Sequence, residues 1–211
     1  MGQVVVVDYG MGNVLSVCRA LEHCEVSVAL SDRPEMIVGA DRLVLPGVGA
    51  FADCVKALEG RGLIEPVKNF VKKGRPFLGI CVGMQILLDV GEEFGGHHGL
   101  GIIPGRVSQI DRDLPDGTAR RVPHIGWTSV TPPRSNRWDN TMLAATKPGT
   151  SFYFVHSFTA VPANDADLLA TADYAGATVT AAIAHENVTG VQFHPEKSGP
   201  PGLAALARFL A

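Results

Sequence analysis

No apolar stretch of the sequence approaches the ~18 residues that a membrane-spanning helix needs. The valine run of residues 4–7 is far shorter, and its surroundings lack the basic region and the cleavage-like site of a secretion signal. Lys and Arg number 18 against 21 Asp and Glu, so the net charge of −3 supplies no basic face for nucleic acid. These absences predict a cytoplasmic protein that binds neither membranes nor nucleic acid.

The chain also lacks the usual signatures of metal and nucleotide sites. Its four cysteines, at positions 18, 24, 54 and 81, form no C-x-x-C pair and no zinc-finger spacing. It contains no G-x-G-x-x-G motif and no Walker-type lysine. We therefore expect no metal and no cofactor.

Composition and patterning favour a single α/β domain over residues 1–211. Apolar residues make up 46% of the chain and charged residues 18%, which is enough apolar content for a sizeable core. In the first half, apolar runs alternate with amphipathic ones. The predicted strands are residues 4–7, 26–30, 43–45 and 77–80, and the predicted helices are one capped by Asn13 and those over residues 53–58, 63–71 and 83–90. Such alternation indicates a parallel sheet covered on both faces.

The second half consists of shorter strand-like runs. They cover residues 106–110, 152–155, 168–172, 178–183 and 188–193. Turn-rich stretches at residues 111–117 and 131–136 separate them, and a helix over residues 203–210 ends the chain. We predict a mostly parallel central sheet with helices on both faces and antiparallel additions.

A candidate nucleophile lies between the fourth strand and its helix. Residues 79–83 read G-x-C-x-G around Cys81, which is the cysteine version of a nucleophile elbow. Such a turn raises the side chain to the carboxyl edge of the sheet, where open α/β sheets bind ligands. The helix start behind it would favour the thiolate. The alternative is a small buried cysteine at a tight turn.

A candidate base and its partner carboxylate follow near the end of the chain. His194 precedes a proline, which holds it extended, and Glu196 lies two residues further on the same side. A carboxylate there can orient the imidazole, which can then take the proton from Cys81. An ordinary surface histidine beside a solvated acid is the alternative. For His124 and His156, in apolar-flanked segments, a structural role is the expectation.

Backbone N–H groups could stabilise an oxyanion beside this cysteine. One belongs to Val82, which follows the nucleophile. A second could come from Val48 or Gly49 in the strand-ending turn P-G-V-G of residues 46–49.

At this point the residues resemble a known family. The segments LGICVGMQ (78–85) and FHPE (193–196) are similar to the triad-type, class I glutamine amidotransferases, whose fold is flavodoxin-like. Within that family the chain resembles the glutaminase subunits of imidazole glycerol phosphate synthase. The similar segments are DYGMGN (8–13), PGVGAF (46–51), PHIGW (123–127), FYFVHS (152–157) and HPEKS (194–198).

The resemblance implies a glutaminase that works with a second protein. Cys81 would form a γ-glutamyl thioester and release ammonia to a (β/α)8-barrel cyclase subunit in a heterodimer. The glutamine would be held by Gln85, Glu93 and the backbone of Ser157 and Phe158, and the cyclase would contact Asn13, Trp127 and Lys197.

Three alternatives remain open from the sequence. The chain could serve another synthase, such as that for anthranilate or pyridoxal phosphate. It could be a free-standing γ-glutamyl or cysteine peptidase, or a non-catalytic subunit on the same fold. Two departures from the family are Phe158, where tyrosine is common, and the long polar segment of residues 131–148.

Overall fold

The computed structural model describes residues 2–113 and 118–211, and its strands alternate with helices up to residue 91. The strands are β1 (Val4–Val7), β2 (Val28–Ser31), β3 (Arg42–Gly47), β4 (Phe77–Cys81), β5 (Val90–Gly91), β6 (His97–His98), β7 (Gly105–Gln109), β8 (His124–Thr131), β9 (Ser151–His156), β10 (Phe158–Pro162), β11 (Leu168–Tyr174), β12 (Ala177–His185) and β13 (Val188–Val191). The helices are α1 (Val14–Glu22), α2 (Pro34–Gly39), α3 (Phe51–Gly60), α4 (Ile64–Lys72), α5 (Val82–Gln85) and α6 (Gly199–Leu210).

The central sheet has nine strands in the order β2-β1-β3-β4-β13-β12-β11-β8-β9. The pairings from β2 to β13 are parallel, and those from β13 to β9 are antiparallel. Every residue of β1 and β4 is buried. Helices α1 and α6 pack together, as do α2 and α4. Because fully buried strands need cover on both sides, this confirms the predicted α/β class.

A second, smaller sheet was not predicted. It has the strand order β10-β7-β5-β6. The prediction that residues 106–110 extend the central sheet is therefore wrong, because β7 pairs with β10 and β5 instead. Residues 97 and 98 form the edge strand β6 of this sheet. The apolar pattern of a short strand does not say which sheet the strand joins.

The predicted helix over residues 83–90 is also wrong beyond its first turn. Helix α5 ends at Gln85. The next carbonyls leave the helical pattern, since Ile86 and Leu87 accept hydrogen bonds from the backbone N–H groups of Leu100 and Ile102. A loop from the small sheet thus replaces the later turns of the helix.

Smaller corrections concern element ends. Helix α1 begins after Asn13, but the Asn13 side chain makes no capping hydrogen bond. The second strand covers Val28–Ser31 instead of residues 26–30. Helix α6 begins at Gly199, ahead of the predicted residue 203, because prolines fit the first turn of a helix. The predicted turn-rich stretch of residues 111–117 lies largely outside the described residues.

The polar segment of residues 131–148 packs on the sheet. Trp138 is buried, and its indole N–H donates to the Leu169 carbonyl at 2.8 Å. Arg137 Nε donates to the Leu168 carbonyl at 3.0 Å. The segment therefore covers the start of β11. Within residues 2–113 and 118–211, no helix has the length and apolar character needed to cross a bilayer.

Candidate active site

The order of three parallel strands gathers the predicted residues at one edge of the central sheet. Strand β4 lies between β3 and β13. In this register Gly47 pairs with Cys81, and Ile80 pairs with Val191. The chain leaves all three strands at their carboxyl ends, where open α/β sheets bind ligands. Residues 48–49, Cys81 and His194 therefore face a common space.

Cys81 lies on a strained turn. Its backbone has φ 55° and ψ −116°, a conformation that non-glycine residues rarely adopt. The flanking glycines are required by space, because a Cβ on Gly83 would lie 1.9 Å from the Leu45 carbonyl oxygen. A Cβ on Gly79 would lie 2.7 Å from the Gly83 carbonyl oxygen. The local geometry is that of a nucleophile elbow.

His194 and Glu196 form a buried pair. The imidazole Nδ1 lies 2.8 Å from Glu196 Oε1, and both side chains are almost completely buried. Burial would lower the pKa of His194, but interactions with Cys81 and Glu196 together raise it to about 10. The alternative of a solvated surface histidine is therefore excluded. Ser198 fixes this turn, since its hydroxyl donates to the His194 carbonyl and accepts from the Tyr153 N–H.

Two buried polar atoms of this pair have no hydrogen-bond partner among the described residues. They are Nε2 of His194 and Oε2 of Glu196. The free Nε2 is the ring atom on the side of Cys81, the group whose interaction favours the imidazolium. An unpaired imidazole nitrogen beside a buried cysteine is available to exchange a proton with the sulfur or with a substrate.

The cysteine sulfur itself has one side-chain hydrogen-bond donor. Gln192 Nε2 lies 3.5 Å from Cys81 Sγ, and the Gln192 side chain is fully buried. Because α5 is a single turn, its dipole adds little to the stability of a thiolate. The side-chain amide is therefore the better-placed source of stabilisation. Sequence reasoning gave Gln192 no role, although a glutamine inside an apolar strand end signals a buried polar contact.

A cavity of about 260 Å³ opens in front of this sulfur. It is lined by Val48, Gly49, Cys81, Val82, Gln85, Glu93, Pro123, Val155, His156, Ser157, Phe158, His194 and Lys197. It thus brings together all the predicted oxyanion-hole and substrate-binding residues with two members of the triad. Glu196 lies behind His194. Pro123, Val155 and His156 also line it and were not predicted as site residues.

Glu93, and not its neighbour Glu92, faces the cavity. Glu93 Oε2 accepts a hydrogen bond from the Phe51 N–H at 2.8 Å, at the start of α3. Glu92 instead makes a half-exposed ion pair with Arg106. Gly49 has a φ of +95°, as expected for a turn that needs glycine.

The residues predicted to contact the partner are exposed at the protein surface. Asn13 and Lys197 are exposed. Trp127 is 57% exposed beside Ile125 at 58%, which is unusual for large apolar side chains on a strand. Their contact with another protein remains a prediction.

Comparison with known proteins agrees with this geometry. The family model described as glutamine amidotransferase class-I matches residues 5–211. Solved structures of similar fold include PurLQS of Thermotoga maritima (TM-score 0.72, 19% identity, covering 100% of this chain and 98% of that one). Another is a putative GMP synthase component of Thermoplasma acidophilum (TM-score 0.70, 20% identity, 100% and 92% covered). The chain belongs to the class I glutamine amidotransferases.

Curated relatives narrow the comparison further. The imidazole glycerol phosphate synthase subunit HisH 1 of Legionella pneumophila (strain Lens) is 48% identical over 211 residues, covering 100% of this chain and 99% of the relative. The subunit HisH of Syntrophotalea carbinolica is 45% identical over 207 residues, with 98% of each chain covered.

Proposed function

We propose that this chain is the glutaminase subunit of an imidazole glycerol phosphate synthase. The observation that carries the proposal is the elbow cysteine, which faces a buried His-Glu pair inside a cavity suited to an amino acid. Full-length similarity of 48% and 45% to HisH subunits supports the choice of synthase over those for anthranilate or pyridoxal phosphate.

In this proposal Cys81, His194 and Glu196 act as a triad. The Cys81 thiolate attacks the glutamine carboxamide carbon and forms a C–S bond, and negative charge moves to the carbonyl oxygen. The N–H groups of Val82 and of Val48 or Gly49 stabilise that oxyanion. Imidazolium His194 gives its proton to the leaving nitrogen, and ammonia departs from the γ-glutamyl thioester. Water, deprotonated by His194, then releases glutamate and the thiolate.

Cavity residues account for recognition of the amino-acid end of glutamine. Glu93 keeps one carboxylate oxygen on the Phe51 N–H, which leaves the other for the substrate ammonium group. Ser157 and Phe158 also line the cavity, and their backbone would offer polar groups to the substrate carboxylate and ammonium. Gln85 uses its N–H groups within the protein, so its oxygen is the atom available to a substrate donor.

The partner is proposed to be a cyclase with a (β/α)8 barrel. Ammonia would pass through it to an open-chain phosphoribulosyl carboxamide, giving imidazole glycerol phosphate and aminoimidazole carboxamide ribotide. Asn13, Trp127 and Lys197 would contact this cyclase in a cytoplasmic heterodimer. The whole chain would act as one glutamine amidotransferase domain.

The loop at Val48 gives a physical route to partner control. If its N–H turns towards the oxyanion only when the cyclase binds, one donor is missing in the free protein. Loss of such a donor costs about 2.7–4 kcal/mol of transition-state stabilisation, or about a hundred- to a thousandfold in rate. Equal glutaminase rates with and without a saturating, substrate-loaded cyclase would contradict this gating.

Glutamate production from glutamine tests the proposal. The purified chain is measured alone and then with the cyclase and its ribulosyl substrate. We expect a low rate that rises at least about tenfold in the complex and disappears in Cys81→Ala. No glutamate in either condition would leave only the non-catalytic alternative, and high activity without the partner would indicate another glutaminase or a peptidase.

A further inference from the structure

A continuous chain of buried hydrogen bonds runs from strand β8 to the cysteine sulfur. It starts at Thr128 Oγ1, which lies 2.7 Å from His124 Nε2. His124 Nδ1 lies 2.9 Å from His156 Nε2, and His156 Nδ1 lies 2.8 Å from the Phe158 carbonyl oxygen. Five side chains of the complete path are only 0–6% exposed, namely His124, His156, Gln85, Gln192 and Cys81.

The second half of the chain continues from the same carbonyl. Gln85 Nε2 donates to the Phe158 oxygen at 3.1 Å and to Gln192 Oε1 at 2.9 Å. Gln192 Nε2 then donates to Cys81 Sγ at 3.5 Å. The path therefore ends on the atom that we propose as the nucleophile.

The Phe158 carbonyl fixes the direction of every bond in this path, because a carbonyl oxygen can only accept. His156 must donate from Nδ1, so in the neutral ring its Nε2 accepts and His124 Nδ1 donates. The remaining nitrogen of His124 then accepts from the Thr128 hydroxyl. Burial lowers the pKa of both histidines to about 4, which keeps these neutral tautomers at neutral pH.

The same carbonyl fixes the orientation of the side-chain amides of Gln85 and Gln192. Gln85 has to present its NH2 group to Phe158, and the second hydrogen of that group points to Gln192 Oε1. Gln192 consequently turns its own NH2 group towards Cys81. Reversing Gln85 would place its oxygen against the Phe158 carbonyl oxygen. Reversing Gln192 would place one NH2 group against the other and would turn an acceptor towards the sulfur, which disfavours a thiolate.

We propose that His124 and His156 are positioning residues for the nucleophile. His156, itself held by His124, holds the Phe158 carbonyl where Gln85 donates to it, and Gln85 in turn keeps the Gln192 N–H on Cys81 Sγ. Gln192 touches the reacting sulfur, whereas the two histidines act at a distance. The inference deepens the proposed glutaminase function and rests on it for the role of Cys81.

The path also connects two regions of the molecule. His124 and Thr128 belong to β8, the strand that exposes Ile125 and Trp127 between them. The remaining members lie around the cavity. A displacement of β8 would therefore disturb the hydrogen bond between His124 and His156, which joins this strand to the rest of the path.

Two variants of His124 separate hydrogen bonding from packing. The ring stacks between Tyr174, with centroids 3.9 Å apart, and Phe154, at 5.0 Å. His124→Phe keeps a ring for this stack and removes both nitrogens. His124→Asn places an amide N–H near the position of Nδ1 and removes the ring. If the path positions the nucleophile, His124→Phe lowers the reactivity of the Cys81 sulfur more than His124→Asn does, although His124→Asn loses more packing.

The measurement is the rate at which iodoacetamide alkylates Cys81 at pH 7. Mass spectrometry of the Cys81 peptide monitors the reaction, because three other cysteines are present. Loss of a hydrogen bond to a charged group corresponds to about a tenfold or larger change. We expect His124→Phe to slow alkylation about tenfold and His124→Asn to stay within about twofold of wild type. Gln192→Glu, which cannot donate when ionised, should slow it at least about tenfold.

Melting temperature and the glutaminase kcat and KM in the complex are measured on the same variants. The inference is overturned if alkylation follows melting temperature across the two His124 variants, or if Gln192→Glu reacts like wild type. Because alkylation needs no glutamine, the result separates two failures. If the wild-type complex has no glutaminase activity but the variants are alkylated at the expected relative rates, the proposed function is wrong and the link between His124 and Cys81 is supported.

Discussion

At the scale of single residues, His194 lies between the carboxylate of Glu196 and the sulfur of Cys81. Glu196 fixes one ring nitrogen at 2.8 Å, and the other nitrogen is left unpaired on the side of Cys81. Burial opposes a charged imidazole, but the two neighbours together raise the pKa of His194 to about 10. The raised pKa favours a protonated His194 at neutral pH, and in the proposed reaction this proton would go to the leaving amine.

Replacement of the carboxylate tests this arrangement. Glu196→Gln retains the shape and removes the charge, so the pKa of His194 should fall, and glutaminase kcat in the complex should drop about a hundredfold or more. NMR titration of the imidazole and steady-state kinetics measure the two effects. Glu92→Gln is the matched control, because that surface acid pairs with Arg106. An unchanged His194 pKa in Glu196→Gln would contradict the role given to the carboxylate.

At the scale of elements, the elbow between β4 and α5 depends on close backbone contact with β3. A Cβ on Gly83 would lie 1.9 Å from the Leu45 oxygen, and one on Gly47 would lie 2.5 Å from the Gly83 nitrogen. Backbone atoms cannot rotate away as a side chain can. The turn that carries Cys81 is therefore fixed by its neighbouring strand and not by its own sequence alone.

Gly83→Ala should accordingly lower both stability and activity. We expect a loss of about 1–3 kcal/mol in the free energy of unfolding, which is typical of overpacking, together with strongly reduced glutaminase activity. Urea unfolding gives the first quantity. Gly60→Ala, at the end of α3 with no atom within 4 Å of the added Cβ, is the control and should be neutral or stabilising. Equal stability of the two variants would refute the contact argument.

The histidine pair that joins β8 to β9 predicts acid sensitivity. Burial lowers the pKa of His124 and His156 to about 4, while the unfolded value is about 6.5. Between these values the unfolded chain binds more protons, so stability falls as pH falls from about 6.5 towards 4. The raised pKa of His194 has the opposite effect on stability. Its contribution to the free energy of unfolding is complete below about pH 6.5 and is lost as the pH rises towards 10.

Urea unfolding at pH 7 and pH 5 measures the acid effect. Each buried histidine contributes a loss of at most about 2 kcal/mol over this interval. His124→Phe, which removes one of the two titrating rings, should show a smaller loss between the two pH values than wild type. The same pH dependence in both proteins would show that other groups cause it.

At the scale of the whole molecule, the edge region of the central sheet exposes two large apolar side chains from the same face of one strand. Ile125 and Trp127 project from β8, and Val48, 39% exposed, lies at the mouth of the cavity. Clustered apolar exposure is a feature of protein-binding surfaces. The proposed cyclase contact would cover the strand on which the hydrogen-bond path to Cys81 begins.

Trp127→Ala should weaken complex formation with the cyclase. Buried tryptophans at interfaces contribute about 2 kcal/mol or more, so the Kd should rise at least about tenfold without a change in melting temperature. Isothermal titration calorimetry measures the affinity. Leu30→Ala is the control, because Leu30 is also exposed, at 40%, on β2 at the far end of the strand order. Similar affinities for the two variants would exclude Trp127 from the interface.

Much of this organisation could be predicted from the sequence, since it depends on local patterns. The apolar runs and the G-x-C-x-G turn identified β1, β3, β4 and the elbow. The helix expected after Gln85 did not form, because its carbonyls bond to residues 100–102, a contact that no local pattern encodes. Gln192 was missed for the same reason, and for His124 and His156 the sequence predicted a structural role but not their hydrogen-bond partners. Their roles follow from partners that the fold brings from distant parts of the chain.

The passage of the chain from β9 to β10 has one further consequence. β9 ends at His156 in the large sheet, β10 begins at Phe158 in the small one, and Ser157 alone joins them in the cavity wall. Cys81 ends β4 and His194 follows β13, both of the large sheet, whereas Glu93 follows β5 of the small sheet. The proposed nucleophile and the acid proposed to hold glutamine thus come from two different sheets, which also contact each other through β10 and β12. In the proposed glutaminase, a slight shear between the two sheets would move Glu93 relative to Cys81 and would change how firmly glutamine is held.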